Sequence, residues 1–302
     1  MATGHAAANG IELAYETHGD PSDPTLVMVM GLGLQLIHWH GGLIEQLDAE
    51  GFHVVVFDNR DTGLSSKIEA GPKPNLWAGL LGRGGSASYT LDDMADDTVG
   101  LLDHLEIERA HMLGASLGGM IAQTVALRHR ERVLSLASLM STTGSRRVGF
   151  PRLKALRILL GGVPATREDY LEYSARTFRV IGSPAFPMED AWVRELAAAG
   201  YDRCYHPAGI ARQLLAVVAS GDRTHQLRRL DVPTVVIHGR EDPMVPLGAG
   251  RATARAIPGA ELVEIPGMGH DLPPDVWGPV IEAVARNAAR ATTAPRAAPV
   301  AA

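Results

Sequence analysis

Cysteine is nearly missing from this 302-residue chain. Cys204 stands alone, which excludes an intramolecular disulfide and reads as a small buried thiol. Long apolar runs are missing too. None approaches the ~18 residues needed to cross a bilayer, so no stable membrane span is expected. There is no excess of basic charge: 28 Lys and Arg face 34 Asp and Glu, a net of -6. A nucleic-acid partner therefore has no electrostatic support. The N-terminal Met1-Ala2-Thr3-Gly4-His5-Ala6 lacks a basic region followed by an apolar core, so no secretory signal is visible. Together these absences point to a cytoplasmic protein. What remains is an ordinary globular composition, 46% hydrophobic and 21% charged. The length suits one large α/β domain with an insertion.

Apolar patterning supplies the organisation. Ile11–Glu16 alternates as a half-buried strand does, while Leu26–Met30 and Val54–Phe57 are continuously apolar, as in strands covered on both faces. His38–Glu50 is long enough for a crossover helix. Thr90 is placed to cap a helix reaching about Leu105, with Asp93 returning a bond. Ala110–Leu113 and Val133–Leu139 read as further strands, and the β-α-β alternation predicts a doubly wound, mostly parallel sheet. From Arg146 to His225 the chain looks helical, clearest at Pro151–Leu160 and Asp190–Ala199. Strand character returns at Thr234–His238 and Glu261–Ile265, before a last helix over Pro274–Arg290. The expected division is a core at 1–145, an inserted helical cap at 146–225, the rest of the core at 226–290, and a disordered tail at 291–302. The cap carries 12 basic and 8 acidic side chains, net +4, against 16 and 26 elsewhere, net -10. Complementary charge between cap and core explains this, or else attraction of an anionic substrate.

One motif carries chemistry. Gly114-Ala115-Ser116-Leu117-Gly118 is G-x-S-x-G between a strand and a helical run, the setting of a nucleophile elbow. A serine hydroxyl needs a base to take its proton, and the base needs a carboxylate to orient it. In the order serine, acid, histidine, the acid should follow a late strand and the histidine the last one. The turn Gly239-Arg240-Glu241-Asp242-Pro243 offers Glu241 and Asp242. His270, in Ile265-Pro266-Gly267-Met268-Gly269-His270-Asp271, alone fits both order and location. His53, His111 and His238 lie in or beside strands, where packing roles are expected.

Those three segments, in that order, resemble the α/β-hydrolase fold superfamily over nearly the whole chain. The resemblance implies Asp242 as the acid, because its relatives carry Gly-x-x-Asp at this turn, with Glu241 the fallback. Oxyanion-hole donors are expected at the N–H of Leu117, directly after the nucleophile, and of Leu32 in the loop Met30-Gly31-Leu32-Gly33-Leu34-Gln35. Val29-Met30-Gly31, Phe57–Ser65 and Ile265–His270 with Leu272-Pro273 look like the aclacinomycin methylesterase group and related small esterases. Many relatives have His-Gly where this chain has Met30-Gly31, which makes the pocket floor more apolar. By resemblance Asp58–Ser65 is a structural turn. Ser116 at the elbow argues against epoxide hydrolases and haloalkane dehalogenases, which use aspartate there.

The pocket is expected to be lined by Leu32, Leu34, Trp39, Leu117, Met140, Met244 and Met268, roofed by cap aromatics such as Phe150, Tyr170, Tyr173, Trp192 and Tyr201. The long Gly/Pro-rich stretch 67–87 is a candidate gate. The expected partner is a small-molecule ester, hydrolysed without metal or organic cofactor. Lactone hydrolysis, perhydrolysis, C–C hydrolysis and ligand reception on a retained fold are the alternatives.

Overall fold

A computed structural model describes residues 1–71, 87–162 and 164–293. The described strands form one sheet. They are β1 (Ala2–Ala8), β2 (Ile11–His18), β3 (Thr25–Val29), β4 (His53–Phe57), β5 (Ala110–Ala115), β6 (Val133–Leu139), β7 (Thr234–Gly239) and β8 (Glu261–Ile265). Their spatial order is β1-β2-β4-β3-β5-β6-β7-β8. β1 pairs antiparallel with β2, and β2 with β4; from β4 to β8 every pairing is parallel. The sheet is thus doubly wound and mostly parallel, as the strand and helix alternation predicts.

Successive side chains of a strand face opposite ways, and the two faces are buried separately. Val27, Val29, Val55 and Phe57 pack with Leu101 and Leu102 of α2 (Leu91–His104) and with Ile121 and Val125 of α3 (Leu117–Arg128). Leu26, Met28, Val54 and Val56 pack instead with Leu43 and Leu47 of α1 (Gly41–Ala49) and with Val280 and Val284 of α10 (Trp277–Thr293). Covering both faces is why these strands read as continuous apolar runs. Thr90 and Asp93 form the expected capping box at the start of α2.

Between β6 and β7 run α4 (Leu153–Leu160), α5 (Arg167–Ile181), α6 (Asp190–Arg203), α7 (Pro207–Ser220) and α8 (Thr224–Leu227). After β7 comes α9 (Leu247–Ala256). The helical insertion is bound to the sheet through the turn after β4. Asp58 is fully buried; its carboxylate accepts the backbone N–H groups of Leu36 (2.7 Å) and Leu64 (2.9 Å) and pairs with Arg203 of α6 at 2.6 Å. Asp61 is paired by both Nε and Nη2 of Arg212 of α7, each at 2.8 Å, and also accepts from Tyr89. Arg60 of the same turn forks onto Asp97 of α2 at 2.6 and 2.5 Å. At these two contacts cations of the insertion meet anions of the turn after β4. Cys204 is half-buried rather than buried, because it ends α6 with its carbonyl turned to Gln35 Nε2 at 2.9 Å. Of the stretch 67–87, residues 72–86 lie outside the described residues. Of the 291–302 tail, residues 291–293 continue α10 and the remainder lies outside.

Removing one member of a buried pair strands the other charge, at a cost of about 3–5 kcal/mol. Arg212→Met should therefore destabilise the protein by about that much in urea unfolding. The double variant Asp61→Asn/Arg212→Met should recover most of the loss.

Candidate active site

Ser116 sits between β5 and α3 with φ 55° and ψ −115°, a left-handed conformation that a non-glycine residue rarely holds. The surroundings enforce it. The Ser116 N–H donates to Leu139 O at 2.9 Å, and the Ser116 carbonyl accepts from Ser141 Oγ at 2.7 Å. A Cβ on Gly118 would collide with the carbonyl of Val29, and one on Gly114 with the carbonyl of Gly118. Only glycine lets the first turn of α3 lie this close to the end of β3.

The loops after β7 and β8 bring two further side chains to this serine. His270 Nε2 lies 3.0 Å from Ser116 Oγ, and His270 Nδ1 lies 2.7 Å from Asp242 Oδ2. Asp242 is fully buried, and its other oxygen accepts the backbone N–H groups of Met244 and Val245, both at 2.8 Å. Those bonds fix the carboxylate's rotation. Glu241 points elsewhere and accepts from Gly267 N at 2.6 Å. Leu117 opens α3, so its N–H belongs to the first turn, where backbone donors have no intrahelical acceptor. Leu32 follows Gly31, whose Cβ position lies 3.5 Å from Ser116 Cβ, so this loop runs beside the elbow.

The remaining lining candidates are spread more widely. Leu34 and Met244 are half-buried. Trp39, Met140 and Met268 are packed into the core on the α1 and α10 face. In the insertion, Tyr170, Tyr201 and Tyr205 pack together at centroid distances of 4.4–5.6 Å, Trp192 stands edge-on to His40, and Phe150 is 61% exposed. Tyr173 donates to Ile158 O at 3.3 Å.

Several side chains to which the sequence assigned no part in the site surround it. His238 is fully buried; its Nε2 donates to Val245 O at 2.8 Å and lies 3.7 Å from Asp242. Burial holds its pKa below the usual histidine value, against the opposing pull of Asp242. Gln213, on α7, is fully buried and accepts from Gly33 N at 2.9 Å. Its amide nitrogen donates to Arg60 O (2.9 Å) and Thr62 Oγ1 (2.7 Å). The insertion thereby grips the loop that carries Leu32. On the other side, His270 N donates to Ile181 O at 2.7 Å and Gly269 N to Ser183 Oγ at 2.9 Å, while Ser183 Oγ donates to Asp271. Asp271 is buried, and burial raises its pKa above the ordinary carboxylate value, partly offset by Ser183. Among the described residues, no three His, Cys, Asp or Glu side chains are grouped to hold a metal.

A mostly parallel sheet, a serine on a strained strand–helix turn, and an acid and a histidine on the following strand ends define the architecture of an α/β hydrolase. The chain belongs to the alpha/beta hydrolase fold family, which it matches over residues 24–275. It is 29% identical over 313 residues to rhodomycin D methylesterase DauP of Streptomyces sp. (strain C5), covering 97% of this chain and 100% of that protein. Rhodomycin D methylesterase DnrP of Streptomyces peucetius is also 29% identical, over 93% and 96% of the two chains. A meta-cleavage product hydrolase from Pseudomonas fluorescens IP01 superposes with a TM-score of 0.69 at 21% identity, over 96% of each chain, and shares the fold.

Two consequences can be measured. Gly118→Ala forces α3 away from β3 and should cost about 3 kcal/mol or more in urea unfolding. Asp271 binds its proton more tightly folded than unfolded, so its contribution to stability falls as pH rises from its unfolded value of about 3.9 through its raised folded value. Asp271→Asn lacks that dependence. The stability difference between wild type and variant, followed by unfolding at a series of pH values, should therefore move in the variant's favour as pH increases.

Proposed function

We propose that this protein is a serine carboxylic-ester hydrolase acting on small to medium apolar esters through Ser116, His270 and Asp242. Family membership and the two methylesterase relatives support an ester-cleaving hydrolase. The observation carrying the finer reading is the continuous pair of short contacts, 3.0 Å from Ser116 to His270 and 2.7 Å from His270 to Asp242. With Asp242 ionised, its partner Nδ1 carries the imidazole proton. Nε2 then presents a lone pair to the Ser116 hydroxyl.

In this reading Ser116 Oγ attacks the ester carbonyl while Nε2 takes the serine proton. The carbonyl oxygen gains negative charge and is met by the N–H groups of Leu117 and Leu32. Asp242 stabilises the imidazolium that forms. His270 then protonates the departing alkoxide, the alcohol leaves, and Ser116 holds the acyl group as an ester. Water attacks that acyl-enzyme with His270 again as base, which returns the acid and the free serine. Nothing in these steps requires a metal or organic cofactor. The helical insertion at 146–225 serves as the cap, and Leu34 and Met244 are the lining positions proposed from the core, with Trp39, Met140 and Met268 behind them. A methyl ester is the favoured small-alcohol substrate, supported by the methylesterase relatives.

The test is hydrolysis of p-nitrophenyl esters from acetate to palmitate, together with methyl esters of aromatic acids. Wild-type protein should turn over one or more of them. Ser116→Ala should lose about 10⁴-fold or more in kcat, and Asp242→Asn about 10⁴-fold. A folded wild-type protein that hydrolyses none, or a Ser116→Ala variant with undiminished turnover, would overturn the reading. Cleavage of a lactone or a C–C bond in place of these esters would keep the catalytic set and replace the substrate class.

A further inference from the structure

The segment from Arg146 to Leu160 departs from the rest of the surface in two ways. Five large hydrophobic side chains are exposed among the described residues, and three of them fall here: Phe150 (61%), Leu153 (63%) and Leu160 (37%). The same fifteen residues hold Arg146, Arg147, Arg152, Lys154 and Arg157, all exposed. Among the described residues none of the five enters an ion pair, whereas Arg167, Arg179 and Arg194 further along the insertion do. The chain has no acidic residue between Glu131 and Glu168. A protein of net charge -6 thus presents one strip that is locally cationic and apolar together.

Helical geometry makes the strip a single surface. At 100° per residue, Leu153 and Leu160 of α4 share one face, Arg157 lies beside them, and Lys154 flanks them. The opposite face carries Ala155, which is buried, with the half-buried Ile158 and Leu159. The helix is therefore already seated on the protein by one apolar face and shows solvent a second. Leucine flanked by lysine and arginine is the pattern of a helix lying in a bilayer's headgroup region, where apolar side chains enter the acyl boundary and cationic ones reach the phosphates. The strip also joins the site. Arg152 N donates to Pro243 O at 2.8 Å, and Pro243 follows Asp242 directly.

We propose that Arg146–Leu160 is an interfacial docking surface for an anionic lipid bilayer, along which apolar substrates dissolved in the membrane reach the site. Charge favours a lipid surface over a second copy of this chain, whose matching strip would set cations against cations. The lipid-binding claim does not rest on the catalytic reading, because binding is measured without turnover and Ser116→Ala protein serves equally well.

The experiment is co-sedimentation of the full chain with vesicles of phosphatidylcholine alone or mixed with phosphatidylglycerol, in low and in near-physiological salt. Wild type should sediment with the anionic vesicles, more weakly as salt rises, and little with the neutral ones. Leu153→Ser and Leu160→Ser should each lower the partition coefficient about tenfold. Lys154→Gln and Arg157→Gln should each lower it about fivefold. Thermal melts and turnover of a water-soluble ester should be unchanged in all four. The wild-type salt series tests the proposal without any variant. Failure to bind anionic vesicles in low salt would overturn it. So would equal binding by the four variants, or a wild-type self-association that Leu153→Ser abolishes in the absence of lipid binding.

Discussion

Asp58 and Asp61 are carboxylates at the end of β4 with essentially no contact with water. A buried charge without a partner is too costly for a folded state to carry. The partners come from far along the chain, Arg203 on α6 and Arg212 on α7. The sheet therefore cannot be completed electrostatically until the helical insertion has folded onto it. The same turn takes the N–H of Leu36 onto Asp58, and its Arg60 carbonyl and Thr62 hydroxyl accept from Gln213, which in turn accepts from Gly33. One set of buried polar groups thus fixes the helical insertion, the sheet and the loop after β3 relative to each other. Their satisfaction leaves little freedom for any of the three to shift alone.

Strain at Ser116 is held in place by that packed frame. A left-handed serine persists only where its neighbours over-determine it. Here the neighbours are two strand ends and one helix: Leu139 and Ser141 bond the serine backbone, and Gly118 lets α3 press against Val29. The Cα–Cβ bond of the serine then has a direction set by that backbone. His270 is held just as firmly. Its amide bonds to the end of α5, and Ser183 takes the preceding amide. The proposed nucleophile thus belongs to the sheet, and its base is held jointly by the sheet and the insertion. A geometry set in advance in this way costs little reorganisation when charge develops.

The parts of this arrangement legible in the sequence are those with local signatures. The parallel strands announce themselves because burial on both faces demands uninterrupted Val, Leu and Met. The elbow is legible because a close helix–strand approach demands Gly114 and Gly118. The turn holding Asp242 and the loop holding His270 follow from chain order. β1 escapes this logic: Ala2–Ala8 is alanine-rich, and alanine favours helix. Pairing with β2 overrides that preference, and the clue was Asn9-Gly10. Both residues have positive φ, the requirement of a two-residue hairpin turn. Gln213 and Ser183 had no signature at all, and His238 read only as a packed strand residue, as which it is buried. They act through contacts made 7 to 180 residues away, and a single sequence carries no trace of such pairings. The proposed lining residues are obscure for a related reason. Trp39 and Met268 have the composition of a pocket wall, and equally of the core in which they are packed.

Charge distribution in the insertion shows how one number can conceal two arrangements. The net of +4 read from residues 146–225 suggested either complementarity with the acidic core or attraction of an anion. Position separates the two. Arg203 and Arg212 neutralise buried core carboxylates, while Arg167, Arg179 and Arg194 are matched within the insertion by Asp202, Asp190 and Glu172. Ion pairing therefore accounts for Arg203 and Arg212 across to the core, and for Arg167, Arg179 and Arg194 within the insertion. It does not account for Arg146, Arg147, Arg152, Lys154 and Arg157, which are collected on one short stretch with exposed Phe150, Leu153 and Leu160 beside them. Surface cations meant only for solubility would be interspersed with anions and kept away from apolar side chains. Concentrating both kinds in one strip, against the turn that carries Asp242, favours contact with a surface that is itself anionic outside and apolar within.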